Sequence, residues 1–381
     1  TPTSGDAGSC VGAPFTVTVT VNPTPVVPNQ TATICSGGTF TRTPVDAAPT
    51  TIIPSGTTYT WTVAPNADVT GETDQAVGQS SISQTLTNNS HLVQTVVYDV
   101  TPVSGDVGNC QGARFTITVT INPKPSISAK TVTACSNELF TTLITNSVNS
   151  DIVPNGITYT WSSPIVTGNM TGATAGNAAT SVSGNLTNPT SVNQTATYTV
   201  RPIVPGSTSC TGQEFTVVAT IKPKAAIAAK TTAVCSNDAF TFTLTDGVGT
   251  DVIPTGTTYT WSNPPTVTGG LTGGTTGSNQ NIVGGTLVNP SNTSQTATYN
   301  VIANSNGCLS TQFSATATIY ARPLITTQNV WSCSGSAFIV PLSNRGGNIL
   351  PNATTFTWTV VQNSNVTGAS NVNVATNAIT Q

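Results

Sequence analysis

Eight cysteines divide the chain at regular intervals, and their spacing limits the architecture more than any other feature. They fall at Cys10, Cys35, Cys110, Cys135, Cys210, Cys235, Cys308 and Cys333, with successive gaps of 25, 75, 25, 75, 25, 73 and 25 residues. The period is 100 residues, shortened to 98 in one copy. That exceeds a solenoid unit and matches a whole small domain, so the chain reads as an array of near-identical modules. The division that follows is residues 1–25 as the closing strand of a preceding unit, full units 26–125, 126–225 and 226–323, and residues 324–381 as the opening part of a further unit.

Other motifs keep the same register. A proline turn runs into an aromatic strand at Pro54-Ser55-Gly56 and Tyr59-Thr60-Trp61, and again at Pro154-Asn155-Gly156 and Tyr159-Thr160-Trp161. The third copy is Pro254-Thr255-Gly256 with Tyr259-Thr260-Trp261, and a degenerate fourth is Pro351-Asn352-Ala353 with Phe356-Thr357-Trp358. A Leu-Thr-Asn element at Leu86 and Leu186 becomes Leu-Val-Asn at Leu287, and strands follow around Tyr98, Tyr198 and Tyr299.

The closing strand is the plainest secondary-structure signal. Phe115, Ile117, Val119 and Ile121 alternate with threonines, and equivalent runs start at Phe15, Phe215 and Phe313. Alternation of period two with β-branched residues predicts a half-buried strand. No segment has helical periodicity, and Gly, Pro and Asn punctuate the runs at sandwich-like spacing. The predicted fold class is all-β: immunoglobulin-like two-sheet sandwiches of about seven strands each, strung into a rod. Trp61, Trp161, Trp261 and Trp358 are then core aromatics on the third strand, while Trp331 breaks the pattern as an exposed or interface ring.

Charged residues make up 6% of the chain, against about 25% in ordinary globular proteins. With a net charge of −3, nothing points to nucleic acid or to an anionic membrane. No apolar run is long enough to insert in a bilayer.

Cysteines so placed read as disulfides formed in an oxidising compartment. Two connectivities respect the repeat. Within a unit, Cys35 joins Cys110, Cys135 joins Cys210 and Cys235 joins Cys308, leaving Cys10 and Cys333 with partners beyond the fragment's ends. Across each junction, Cys10 instead joins Cys35, and so on along the chain. The first is favoured because it staples the first strand to the last and closes a long loop, worth about 4 kcal/mol by chain entropy. Zinc is rejected, since there is no CxxC and the single histidine, His91, has no cysteine near it.

The junctions Asn22-Pro23-Thr24-Pro25, Asn122-Pro123-Lys124-Pro125, Lys222-Pro223-Lys224 and Arg322-Pro323 are short and stiffened by proline. Their constant Cys–Cys spacing implies a preserved geometry between neighbours. Lys124, Lys130, Lys222, Lys224 and Lys230 gather here and read as solvated collars against edge-to-edge aggregation. The acidic positions recur poorly: Glu138 and Asp238 align with each other but with Gly38, and Asp151 and Asp251 align with Thr51 and Asn348. They are candidate oxygen ligands for Ca2+ or simply water-facing turn residues. No catalytic residue or resident cofactor is expected, because acid–base and triad chemistry need recurring titratable groups and His91 is alone. Asn-x-Ser/Thr triplets, such as those at Asn88, Asn169 and Asn292, matter only in a source that glycosylates them.

The ordered set Cys-Ser-(Gly/Asn)-x-x-Phe, Pro-x-Gly-(Thr/Ile)-Thr-Tyr-Thr-Trp, Leu-Thr-Asn and Cys-x-Gly-x-x-Phe before Asn-Pro-x-Pro resembles the PKD-like repeats of Bacteroidota cell-surface proteins. Such repeats occur in very large adhesins, including those similar to gliding-motility adhesins exported by the type IX system. Cys308-Leu309-Ser310 and Asn352-Ala353 depart from the pattern and put local turn geometry in question. The resemblance implies an extracellular, repetitive β-sandwich protein at the cell surface or in an extracellular filament, and carries over no catalytic residue. Three functions compete: a structural stalk or fibre whose partners are neighbouring repeats or copies of itself; a multivalent array binding surface polysaccharide; and a subunit that polymerises by donor-strand exchange between residues 1–25 and 324–381.

Overall fold

The computed structural model describes residues 1–204, 210–262 and 266–381. Apart from one 3-10 turn at Val148–Ser150, its regular elements are all strands. No described helix is long and apolar enough to cross a membrane.

The first full unit shows the plan. Its strands are β1 (Gln30–Cys35), β2 (Gly38–Arg42), β3 (Thr58–Val63), β4 (Val69–Thr70), β5 (Gln75–Gln79), β6 (Ile82–Asn88), β7 (Gln94–Val103) and β8 (Phe115–Asn122). One sheet has the order β1-β8-β7-β3-β5, the other β2-β6-β4. Alternate residues of β8 are fully buried, but the intervening threonines are half-buried and not open to water as the alternation suggested. Trp61 and Tyr98 meet Phe40, Leu86, Ile117 and Ile121 between the sheets. The same core recurs around Trp161 with Tyr198 and around Trp261 with Tyr299.

One pairing governs everything that follows: β1 lies parallel to β8, from Gln30 opposite Ile117 to Cys35 opposite Asn122. Lys130–Cys135 runs parallel to Phe215–Lys222, and Lys230–Cys235 to Phe313–Tyr320, in the same relative register. The first and last strands of a unit therefore point the same way along the molecule.

The turn motifs explain themselves locally. Thr57 N donates to Pro54 O at 3.2 Å across Gly56, whose φ of 72° is the left-handed conformation that position i+2 of a type II turn demands. The degenerate copy keeps this turn, with Thr354 N donating to Pro351 O at 3.2 Å, and Ala353 takes φ 60° in place of glycine. The other departure does change geometry. Before Cys308 the chain closes a tight hairpin on Asn306 and Gly307, with φ 52° and 92°, and Ser305 pairs with Cys308. The shortened Cys–Cys span of the third unit has its explanation in this tight turn.

The end segments do not form sandwiches. Phe15, Val17, Val19 and Val21 are exposed and outside any strand. Phe356–Trp358 pairs only with Val372–Thr376, so Trp358 is half-exposed and is not the core residue its register predicted. No counterparts of β7 and β8 cover it. Trp331 is 90% exposed, as expected of a ring outside the repeating core.

Candidate functional site: the junctions between units

Each full unit has two poles, and the parallel pair decides what stands at each. Cys35 ends β1 beside Asn122, the last residue of β8. Cys110 precedes the start of β8 and so lies at the opposite pole. The disulfides are accordingly Cys35–Cys210 and Cys135–Cys308, with Cα separations of 5.3 and 5.6 Å. Both expected connectivities fail for the same reason. Cys110 and Cys35 sit at opposite ends of one unit, about 40 Å apart along an extended strand of 12 residues. Across a junction, Cys110 and Cys135 stand at the outer ends of two consecutive extended strands, β8 and Lys130–Cys135, and are farther apart still. The bond joins the leading cysteine of one unit to the closing cysteine of the next, a pairing that links adjacent poles. Cys10, Cys235 and Cys333 are exposed thiols and Cys110 is a partly buried one.

A second device shapes the same pole. The asparagine of the Leu-Thr-Asn motif is buried in every full unit, at Asn88, Asn188 and Asn289. Asn188 Nδ2 donates to Val192 O at 2.8 Å and to Ile221 O at 3.0 Å, while its Oδ1 accepts from Thr190 N and Oγ1 at 2.9 and 2.8 Å. Ser136, the residue after the cysteine, completes the knot by accepting from Asn188 N at 2.9 Å. This explains the Cys-Ser pair of the motif, which sequence reading recorded without assigning it a role. The knot ties the loop after β6 to the end of the closing strand, where the next unit begins.

That loop touches the neighbour. Asn146 Nδ2 of the second unit donates to His91 Nδ1 of the first at 3.0 Å. Ser191 and Asp246 stand in the equivalent positions one unit on, and they too are hydrogen-bonded. The Asp246 carboxyl is held below its usual range, first by the Ile253 N–H and then by the Ser191 hydroxyl. On the other side of the joint, Lys222 Nζ donates to Asn306 O at 3.4 Å. The glycine of Cys-x-Gly allows the linker to lie close: a Cβ on Gly112 would stand 2.2 Å from Pro25 O, and one on Gly212 2.6 Å from Pro125 O.

Four of the five junction lysines, Lys130, Lys222, Lys224 and Lys230, are engaged and do not form a solvated collar, while Lys124 is exposed. Lys130 pairs with Asp151 and Lys230 with Asp251, both carboxylates being buried. Ser128 N donates to Asp151 Oδ1 at 2.7 Å, and Ala228 N to Asp251 Oδ1 at 3.0 Å. Burial disfavours the Asp151 anion, but the Lys130 ammonium and Ser128 outweigh it and hold the carboxyl below its ordinary value. The candidate calcium positions Asp151 and Asp251 thus already have their cation in lysine. Glu138 and Asp238 form exposed ion pairs with Lys224 and Arg322 at 2.7 and 2.6 Å. No group of three potential metal-ligating side chains occurs among the described residues.

The tryptophans are accounted for as core. Trp61, Trp161 and Trp261 are about 6–7% exposed, and each indole Nε1 donates to a backbone carbonyl, Thr73, Thr174 and Thr275, at 2.9–3.1 Å.

The description "PKD-like domain" matches residues 32–125, 132–225 and 232–323, most of the chain. The chain belongs to the PKD-like domain family. No curated protein sequence matches it. Among solved structures, three domains of mouse cadherin-23 (EC22-24) align at 14% identity over 79% of this chain and 100% of theirs, with a TM-score of 0.26. The three N-terminal domains of the bacteriophage RB49 outer capsid protein Hoc align at 13% identity over 78% and 99%, with a TM-score of 0.31.

Replacing Asn188 by alanine leaves the carbonyls of Val192 and Ile221 without their donor. The expected loss is about 2–4 kcal/mol for the middle unit, visible by calorimetry as one of the unit transitions moving to lower temperature.

Proposed function

We propose that this chain is a non-catalytic structural segment of a bacterial extracellular stalk or fibre, whose activity is to hold position and distance. The observation that carries the reading is the double tie at each junction between full units, a proline linker and a disulfide, with a loop contact beside them. Disulfides form and persist in oxidising compartments, and the two bonds support a location outside the cytoplasm. The motif resemblance extends the proposal to a cell-surface adhesin or filament of the Bacteroidota, exported by the type IX route.

The carbohydrate-binding reading draws no support from the repeating aromatics, which are buried. Donor-strand exchange meets an obstacle in the sheet order. A β7 strand separates β8 from β3, and neither residues 1–25 nor 324–381 supply one.

Small-angle scattering on the oxidised chain tests the proposal. A rod profile with a persistent axis through the three units is expected, loosening on reduction. A profile of freely jointed beads in the oxidised chain overturns it, as does saturable glycan binding by the folded chain at low micromolar concentration.

A further inference from the structure

We infer that the disulfides and the parallel strand pairs together make two continuous covalent tension paths, running abreast through all three units and bypassing most of each fold. The inference rests on the structural reading above and assigns the fibre's mechanics. The first path enters along β1 to Cys35, crosses to Cys210, follows Phe215–Lys222 through the second unit, and continues by Lys230–Cys235 through the third. The second starts at Cys110, follows β8 through the first unit and Lys130–Cys135 through the second, crosses to Cys308, and follows Phe313–Tyr320 through the third.

In every unit the two strands on these paths are the hydrogen-bonded parallel pair, one from each path. The crossings are staggered. At the first junction the first path uses the disulfide while the second uses the Asn122-Pro123 linker; at the next junction the roles exchange. Each path spans three units in about 40 residues, and these are already extended strand and linker. They reach at most about 140 Å when fully drawn, close to three strand lengths plus their joints. There is almost no slack to release.

The remaining residues of each unit, such as 36–109 and 136–209, hang off the paths as closed loops. Pulling between the two ends of the first path cannot draw out residues 36–209, which the Cys35–Cys210 bond closes into a loop, even if the sandwich melts. This accounts for the cysteine spacing. The 25-residue segments lie on a path and keep one length in all four copies, whereas a span between them drops from 75 to 73 residues at no mechanical cost.

Single-molecule pulling on the full chain, with handles clicked onto azide side chains at the exposed positions Thr24 and Ala239, tests this. The oxidised protein should stop near 140 Å and show no unit-sized steps before rupture. With a thiol reductant it should lengthen in two unit-sized steps, one for each complete unit between the handles, toward about 750 Å. Cys35→Ser cuts the first path and should restore long steps, whereas Cys135→Ser leaves that path whole and should change the limit little. Unit-sized steps in the oxidised protein, equal lengthening in both variants, or peptide mapping that recovers Cys35 bonded to Cys110 each overturn the inference. A chain that scatters as loose beads yet refuses to lengthen sinks the stiff-spacer reading alone; a stiff rod that lengthens in steps sinks the tension paths alone.

Discussion

Replacing Lys130 by methionine is expected to destabilise the middle unit by about 3–5 kcal/mol, the cost of leaving a buried charge without its partner. Asp151 is 1% exposed at its side chain and Lys130 11%, so water cannot substitute for the ammonium. The carboxylate holds the start of the unit together, because its Oδ1 accepts from Ser128 N while Ser126 and Ile152 exchange backbone hydrogen bonds beside it. Amide exchange at Ser128 and Ile152 reads the loss directly and assigns it to one unit of the array.

The pH dependence separates wild type from variant. Folding lowers the Asp151 carboxyl below its ordinary value of about 3.9. The folded state therefore binds fewer protons than the unfolded one as the pH falls through that region. The pair's contribution is complete above the unfolded value and is lost as the pH drops through the lower, folded one. In K130M the ammonium is gone and only the Ser128 hydrogen bonds oppose burial, so the carboxyl rises relative to wild type and the variant should lose less stability than wild type as the pH falls. The double change K130Q with D151T installs Gln30 and Thr51 of the first unit, which folds without the ion pair. It should cost well under half of what K130M costs; an equal cost would show that the charge was never the issue.

Trp161→Ala is expected to remove about 3–5 kcal/mol from the same unit. The indole fills the space between the sheets, packs edge-on to Tyr198 with centroids 6.3 Å apart, and loses its 3.1 Å bond to Thr174 O. The fit is close: a Cβ on Gly176 would come within 2.2 Å of the ring. Neighbouring strands cannot close such a void without breaking their ladders. Denaturant unfolding should show one early transition for a unit whose neighbours unfold as before. Trp331→Ala, at a ring exposed to water, should leave every transition in place. A Trp161→Ala chain that keeps its stability would reopen the surface reading of the tryptophan row.

Much of this molecule is legible in one dimension. The cysteine interval gives the size of the unit, period-two alternation from Phe115 to Ile121 gives strands, and the fixed register of Trp61, Trp161 and Trp261 gives a buried centre. Each is a local or periodic property, set by side-chain volume and by which face of a strand meets water. Trp358 marks the boundary of that logic, since it has the same sequence context yet is half-exposed on a strand paired with Val372–Thr376. Asn88, Asn188 and Asn289 were visible as a motif but silent as to role, because a hydrogen bond to a carbonyl some 33 residues away leaves no trace in local pattern.

What the sequence could not decide is direction. Alternation along β1 and β8 looks the same whether the strands run parallel or opposed, yet that choice determines which pole each cysteine occupies. Opposed strands would have brought Cys35 toward Cys110 and closed each unit on itself. The parallel arrangement sends Cys35 to the far pole, where the nearest sulfur belongs to the next unit. Composition and periodicity made the modules; the relative direction of two strands made them a continuous line.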